Sequence, residues 1–141
     1  MKKFMEGRLF TALFAMLACL VVYRLSTGNA PLRGEYVTQF IESDLAQVLQ
    51  NGGKVIDRTS RVNLNLAFHT VRFMDEGWSA ALRDRNIATL QELGWVLRAP
   101  KVLCKMGVQL TIGEGQSMYR GQGTNSLAFV YDRGSVKACA A

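Results

Sequence analysis

The sequence predicts an α+β protein. An N-terminal transmembrane helix precedes a small exported domain of about three helices, which is followed by a three-stranded antiparallel sheet. Three observations predict this: an apolar run behind a basic N-terminus, apolar residues at three- and four-residue steps after it, and alternation with a period of two beyond Gly94. With 141 residues, of which 49% are apolar and 20% charged, the chain has room for one domain.

The N-terminal segment 1–25 is predicted to be a membrane anchor or uncleaved signal. A basic head (Met1–Arg8) is followed by the apolar stretch Leu9–Tyr23 and then by Arg24. The bilayer would be crossed between Leu9 and Leu25. The positive head places the N-terminus in the cytoplasm. The apolar stretch is short, because roughly 15 helical residues rise only about 22 Å against a hydrocarbon core of about 30 Å.

Two alternatives for this segment remain open, and they differ in what happens to the chain. Signal cleavage would follow Ala30, but Pro31 comes directly after that site. Lipid attachment would use Cys19, but Leu17 is bulky where a lipoprotein signal usually has a small residue. The anchor is therefore the preferred interpretation.

The polar linker 26–34 leads into the predicted domain 35–141, which begins with an amphipathic helix ending at Gly52-Gly53. Glu42 and Asp44 of this helix point about 200° apart, so they do not converge on one substrate atom and are interpreted as solvated positions. Its apolar face is defined by Val37, Phe40, Ile41, Leu45, Val48 and Leu49.

The segment 60–76 is ambiguous in its periodicity. Alternation of apolar residues from Val62 to Phe68 is typical of a strand, whereas a polar stripe follows a helical period. Because the stripe persists after the alternation ends, we predict a largely buried helix over 60–76. The stripe comprises Arg61, Asn65, His69, Arg72 and Glu76. A third helix is predicted from Ser79 to Leu93.

Period-two alternation begins in KVLCKMGVQLTIG, residues 101–113, and predicts a half-buried strand. The segment 113–125 contains four glycines and is predicted to be a long loop. Two further strands, SLAFVY and SVKAC, are predicted on either side of a turn at Asp132-Arg133-Gly134.

Two of the three cysteines, Cys104 and Cys139, lie in the predicted exported domain. We predict that they form a disulfide, which is typical of an oxidising compartment such as the periplasm. Cys19 is then the unpaired thiol. The spacing of the cysteines fits no metal-binding pattern, so neither a metal nor a cofactor is expected.

No catalytic constellation is visible in the sequence. His69 has no nucleophile at a matching step, and the protein is therefore predicted not to be an enzyme. The net charge of +6 is spread along the chain without a dense basic patch, so no nucleic-acid partner is expected. A possible interaction site lies in the glycine-rich loop, at Tyr119, Arg120, Gln122 and Asn125.

These features predict a single-pass bacterial inner-membrane protein with a cytoplasmic N-terminus and a periplasmic, non-catalytic C-terminal domain. It would serve as an accessory or structural subunit of a membrane-associated assembly, with other envelope proteins as partners. The competing interpretation is a secreted or lipid-anchored enzyme or inhibitor released by signal cleavage. The sequence does not show whether the chain forms homo-oligomers.

Overall fold

The computed structural model describes residues 13–22 and 32–141, apart from the side chains of residues 116 and 117. The chain divides into two compact units, Met1–Pro31 and Leu32–Ala141, which are described separately.

In the first unit, residues 13–22 are helical and their side chains are exposed. These residues rise about 15 Å, half of the roughly 30 Å hydrocarbon core of a bilayer. No helix within the described ranges is both long and apolar enough to cross a membrane. The predictions of a transmembrane helix and of a single-pass inner-membrane location are therefore wrong. The remainder of the predicted anchor and most of the predicted linker lie outside the described residues.

The second unit is built on one antiparallel sheet with the strand order β1-β2-β6-β5-β4-β3. The sheet has six strands, so the predicted three-stranded sheet is wrong. The strands are β1 (Val55–Asn63), β2 (Leu66–Met74), β3 (Val96–Ala99), β4 (Val102–Lys105), β5 (Val108–Tyr119) and β6 (Gln122–Tyr131). Because β2 and β6 lie inside the sheet, their alternate residues are buried under the helices.

Three helices accompany the sheet: α1 (Gly34–Val48), α2 (Ala80–Glu92) and α3 (Arg133–Ala140). Short 3₁₀ turns follow α1 at Leu49–Asn51 and β2 at Asp75–Gly77. The structure agrees with the predicted positions of α1 and α2. The sequence of α1 has apolar residues at helical spacing, and α2 follows a serine N-cap. Ser79 caps α2 by accepting a hydrogen bond from the Leu82 amide at 3.1 Å.

The core lies between α1 and one face of the sheet. Every apolar residue at the core-facing positions of α1 is at most 1% exposed. These are Val37, Ile41, Leu45 and Val48. They pack against a sheet face that carries Ala67, Val71, Phe73, Leu110, Leu127 and Phe129, all buried. Gly34 lets α1 approach the β1–β2 turn, since an added Cβ would lie 2.1 Å from the Asn63 carbonyl oxygen.

The segment 60–76 is not a helix, contrary to the prediction. It forms the end of β1, a tight turn, β2 and the start of a 3₁₀ turn. Residues of the supposed polar stripe are spread over β1, the turn, β2 and the 3₁₀ turn, so their helical spacing was coincidental. The alternation from Val62 to Phe68 was the better signal of strand structure, although the turn places Val62 on one face of the sheet and Leu66 and Phe68 on the other.

The segment 113–125 is also not a loop. The strands β5 and β6 continue to a two-residue turn at Arg120-Gly121, where φ is 49° and 80°. Positive φ at both turn residues is typical of a type I′ hairpin, which explains the glycine.

The predicted strand SVKAC belongs to α3. Asp132 accepts a hydrogen bond from the Ser135 amide at 2.7 Å, while the Ser135 hydroxyl accepts one from the Asp132 amide at 2.9 Å. This reciprocal capping box begins a helix where the sequence seemed to offer a hairpin turn.

The predicted disulfide between Cys104 and Cys139 is confirmed. It joins β4 to α3 across 35 residues, with the Cα atoms 5.6 Å apart. The disulfide fastens the short C-terminal helix to the sheet.

Asp44 is buried, contrary to its interpretation as a solvated position. It is 5% exposed and accepts hydrogen bonds from Trp95 Nε1 at 2.8 Å and from Lys105 Nζ at 2.6 Å. The Lys105 ammonium also lies 5.4 Å from the centre of the Phe40 ring. This buried cluster joins α1 to β4 and to the residue preceding β3.

Candidate functional site

The outer edge of β1 is the longest unpaired strand edge of the sheet. Among the described residues, β1 pairs with β2 alone, and its residues from Arg58 to Asn63 are exposed. The opposite edge, β3, has four residues, an irregular register and Pro100 directly after it. Short, irregular edges resist strand pairing, whereas a nine-residue edge presents a row of unpaired backbone donors and acceptors.

The β1 edge carries two arginines on opposite faces of the strand. Arg58 lies opposite Val71, on the face covered by α1, and Arg61 lies opposite Phe68, on the other face. Neither arginine forms an ion pair within residues 13–22 and 32–141. The neighbouring Asp57 is different, because it forms an ion pair with Arg72 of β2. The edge therefore offers two cations to a partner.

A second cluster lies beneath this edge, around His69. The imidazole is 3% exposed, with Nδ1 3.2 Å from Glu42 Oε1 and Nε2 3.1 Å from Thr38 Oγ1. Thr38 and Glu42 are one helical turn apart on α1, so the ring is held between them. A hydroxyl, an imidazole and a carboxylate in this order resemble a nucleophile, a base and the group that orients the base.

The space beside His69 is small. The cavity has a volume of about 50 Å³ and is lined by Glu42, Arg58, Ser60 and the ring itself, among others. Ligand pockets usually measure about 300–1,000 Å³, and a cavity of this size holds only a few water molecules. The cluster is best explained as a hydrogen-bonded connection between α1 and β2.

Burial lowers the pKa of His69 below its ordinary value of 6.5, although Glu42 acts in the opposite direction. Glu42 of α1 and Arg58 of β1 are the charged groups that line its cavity. The unfolded chain therefore binds a proton more readily than the folded one near this pH. The contribution of neutral His69 to stability is complete above about pH 6.5 and declines as the pH falls below that value.

We expect His69→Gln to flatten the pH dependence of stability in this range. Urea unfolding of both proteins between pH 5 and 8 measures it: the stability advantage of the wild type should shrink as the pH falls. An advantage that grows towards pH 5 would contradict the lowered pKa.

The four residues predicted as an interaction site separate into two groups. Tyr119, Arg120 and Gln122 lie at the tip of the β5–β6 hairpin, where the Arg120 guanidinium is 5.3 Å from the centre of the Tyr119 ring. Asn125 is 2% exposed, donates to Asp75 Oδ1 at 2.6 Å and accepts from the Gly115 amide at 3.1 Å. Asn125 therefore fastens β6 to β5 and to the 3₁₀ turn after β2. A binding role for the hairpin tip stays a prediction.

Glu114 also fastens β5, and sequence reasoning missed it. Its carboxylate accepts a hydrogen bond from Trp78 Nε1 at 3.0 Å and forms ion pairs with Lys101 at 2.7 Å and Arg83 at 3.4 Å. Hydrogen bonds from Lys101 and Trp78 lower the pKa of Glu114 to about 2. No local signal could have revealed this cluster, because its members come from four separate segments.

A wider concavity of about 310 Å³ lies beside the disulfide, at the β3 edge. Two cationic side chains line it, but both are engaged: Arg98 donates to the Cys139 carbonyl oxygen at 3.3 Å, and Lys105 to Asp44. Among the described residues, no group of three or more histidine, cysteine or acidic side chains is placed to hold a metal ion.

No protein family, curated protein or solved structure matches this chain. The geometry of its own residues, above all at the β1 edge, therefore indicates what the chain can bind.

Proposed function

We propose that residues 32–141 form a non-catalytic binding domain that takes up an extended segment of another polypeptide along the β1 edge. The observation that carries this proposal is the nine-residue outer strand, which is paired on one side alone and exposed from Arg58 onward. An added strand would satisfy the free backbone groups of β1 and extend the sheet.

Charge supports the same site and indicates the chemistry of the partner. Successive side chains of a strand point to opposite faces, so an extended partner meets Arg58 on one face and Arg61 on the other. Acidic side chains on that partner would pair with them. The net charge of +6 adds a general attraction for an acidic segment.

The disulfide supports the proposal that the protein functions in an oxidising compartment, since such bonds are rare where thiols are kept reduced. A small, disulfide-linked domain that binds another chain fits an accessory subunit of a larger assembly. The alternative, an exported enzyme, would have to use Thr38, His69 and Glu42 beside a cavity of about 50 Å³.

A synthetic nine-residue peptide with two glutamates three residues apart, which point to opposite faces of an extended strand, tests the proposal. In two-dimensional amide NMR spectra of the full chain, the peptide should shift resonances of β1, saturably. The matched peptide with lysine in place of glutamate should bind more weakly. Replacing both Arg58 and Arg61 with alanine should weaken binding of the acidic peptide about 5–10-fold, because each exposed ion pair contributes about 0.2–1 kcal/mol.

Shifts centred on the hairpin tip at Tyr119, Arg120 and Gln122 would contradict the proposal and favour that tip as the binding site. Absence of binding at millimolar peptide, at a protein concentration where the chain is monomeric, would also contradict strand addition. The variant Arg85→Ala is the matched control, since Arg85 is exposed on α2 and away from β1.

A further inference from the structure

β1 is complementary to itself about Thr59, because Asp57 precedes this residue by two positions and Arg61 follows it by two. We infer that the β1 edge also takes up β1 of a second copy of this chain, an inference that rests on the proposed strand addition. A twofold axis at Thr59 pairs the strands antiparallel and sets Asp57 of each copy opposite Arg61 of the other.

The side chains that would meet lie on one face. Asp57, Thr59 and Arg61 are opposite Arg72, Thr70 and Phe68 of β2, at alternate positions of the hairpin. Asp57 can keep its ion pair with Arg72 while accepting Arg61 of the second copy, since a carboxylate has acceptor sites for several donors. The two Thr59 side chains face each other across the axis.

Other registers are less favourable. A twofold axis at Asp57, Arg58 or Arg61 places like charges directly opposite one another, which destabilises a strand pair. An axis at Ser60 leaves both arginines opposite uncharged residues. The Thr59 register alone forms two Asp–Arg pairs, while on the other face it sets Arg58 opposite Ser60.

The same symmetry keeps the sheet intact. A twofold axis perpendicular to the sheet maps each face onto itself, so the helix layers of both copies lie on the same side. The two six-stranded sheets then join edge to edge into one continuous antiparallel sheet. This removes the longest free edge that each copy exposes.

Cross-linking through an introduced cysteine tests this register. The full chain carries Cys19→Ser, so that no native free thiol remains among the described residues, and then Thr59→Cys. Directly opposed residues of an antiparallel pair have Cα atoms about 4.5–5.5 Å apart, within disulfide range. The matched control is Val62→Cys, also exposed on β1, whose two copies would lie about 20 Å apart in this register.

Under mild oxidation, Thr59→Cys should give a covalent dimer at least tenfold faster than Val62→Cys. In sedimentation equilibrium of the chain without introduced cysteines, Arg61→Asp should raise the dimer dissociation constant at least about tenfold, because both Asp57 carboxylates then face a like charge. Arg85→Asp, which makes the same charge change on α2, should leave it unchanged.

Equal cross-linking of the two cysteine variants, or a monomer at every concentration measured, would overturn the inference of a second copy. If the acidic peptide still binds along β1 in that case, strand addition stands and the partner is a different chain. If the peptide fails as well, the proposed function fails with the inference.

Discussion

Replacing Asp44 with alanine is expected to lower the free energy of unfolding by about 3 kcal/mol, the cost of leaving a half-buried cation and a buried indole N–H without their acceptor. Asp44 is 5% exposed and holds Trp95 Nε1 at 2.8 Å and Lys105 Nζ at 2.6 Å. Without the Asp44 carboxylate, α1 would lose its hydrogen bonds to Lys105 of β4 and to Trp95. Urea unfolding at pH 7 measures the difference.

Two variants separate the contribution of the Asp44 charge from that of its hydrogen bonds, and a third variant is the control. Asp44→Asn keeps an acceptor for Trp95 and should lose less, about 2 kcal/mol. In a double-mutant cycle with Lys105→Met, the two changes should be coupled by about 1 kcal/mol or more. Glu35→Ala, an exposed change in the first turn of the same helix, should stay within about 0.5 kcal/mol of the wild type. A loss below about 1 kcal/mol for Asp44→Ala would refute the buried cluster.

The second large effect is expected from removing the disulfide. Replacing both Cys104 and Cys139 with serine should lower the free energy of unfolding by about 3–4 kcal/mol, because the bond closes a long loop in the unfolded chain. The cysteines are separated by 35 residues and are 6% and 9% exposed. Chemical unfolding of the oxidised protein and of the double variant measures the loss.

Cys19→Ser is the control for this experiment, since Cys19 is free and exposed. It should not change the stability. Thiol labelling of the unfolded, non-reduced wild type should find one free thiol per chain, at Cys19. Three labelled thiols, or a double variant as stable as the wild type, would contradict the disulfide.

Local patterns in the sequence predicted α1 and α2, because helix formation depends on residues near one another in the chain. The apolar spacing from Val37 to Val48 and the N-cap at Ser79 are signals of this kind. The disulfide was predicted from the redox chemistry of an oxidising compartment. The error at α3 was avoidable, since Asp132 and Ser135 carry the spacing of a capping box. The error at 60–76 arose because a four-residue polar spacing persisted by chance across a hairpin.

The candidate site could not be predicted from the sequence, because only the strand order of the whole sheet determines which strand lies at its edge. β1 lies outermost since β2 pairs on its other side with β6, more than fifty residues away in the chain. The burial of Asp44 has the same origin, because Trp95, just before β3, and Lys105 of β4 approach it from segments distant in sequence. The glycines of 113–125 predicted a loop, whereas Glu114 and Asn125 fasten that segment through tertiary contacts.

Amide hydrogen exchange along β1 tests the central claim, strand addition at this edge, most directly. It is measured on dilute full-length protein with and without the acidic peptide. In an antiparallel strand, alternate amides point outward, so every second amide of Val55–Asn63 should exchange rapidly in the free protein. With peptide at ten times its dissociation constant, these amides should slow about tenfold while their neighbours change little. Protection confined to other strands or to the hairpin tip, with the outward amides of β1 unchanged, would contradict the account.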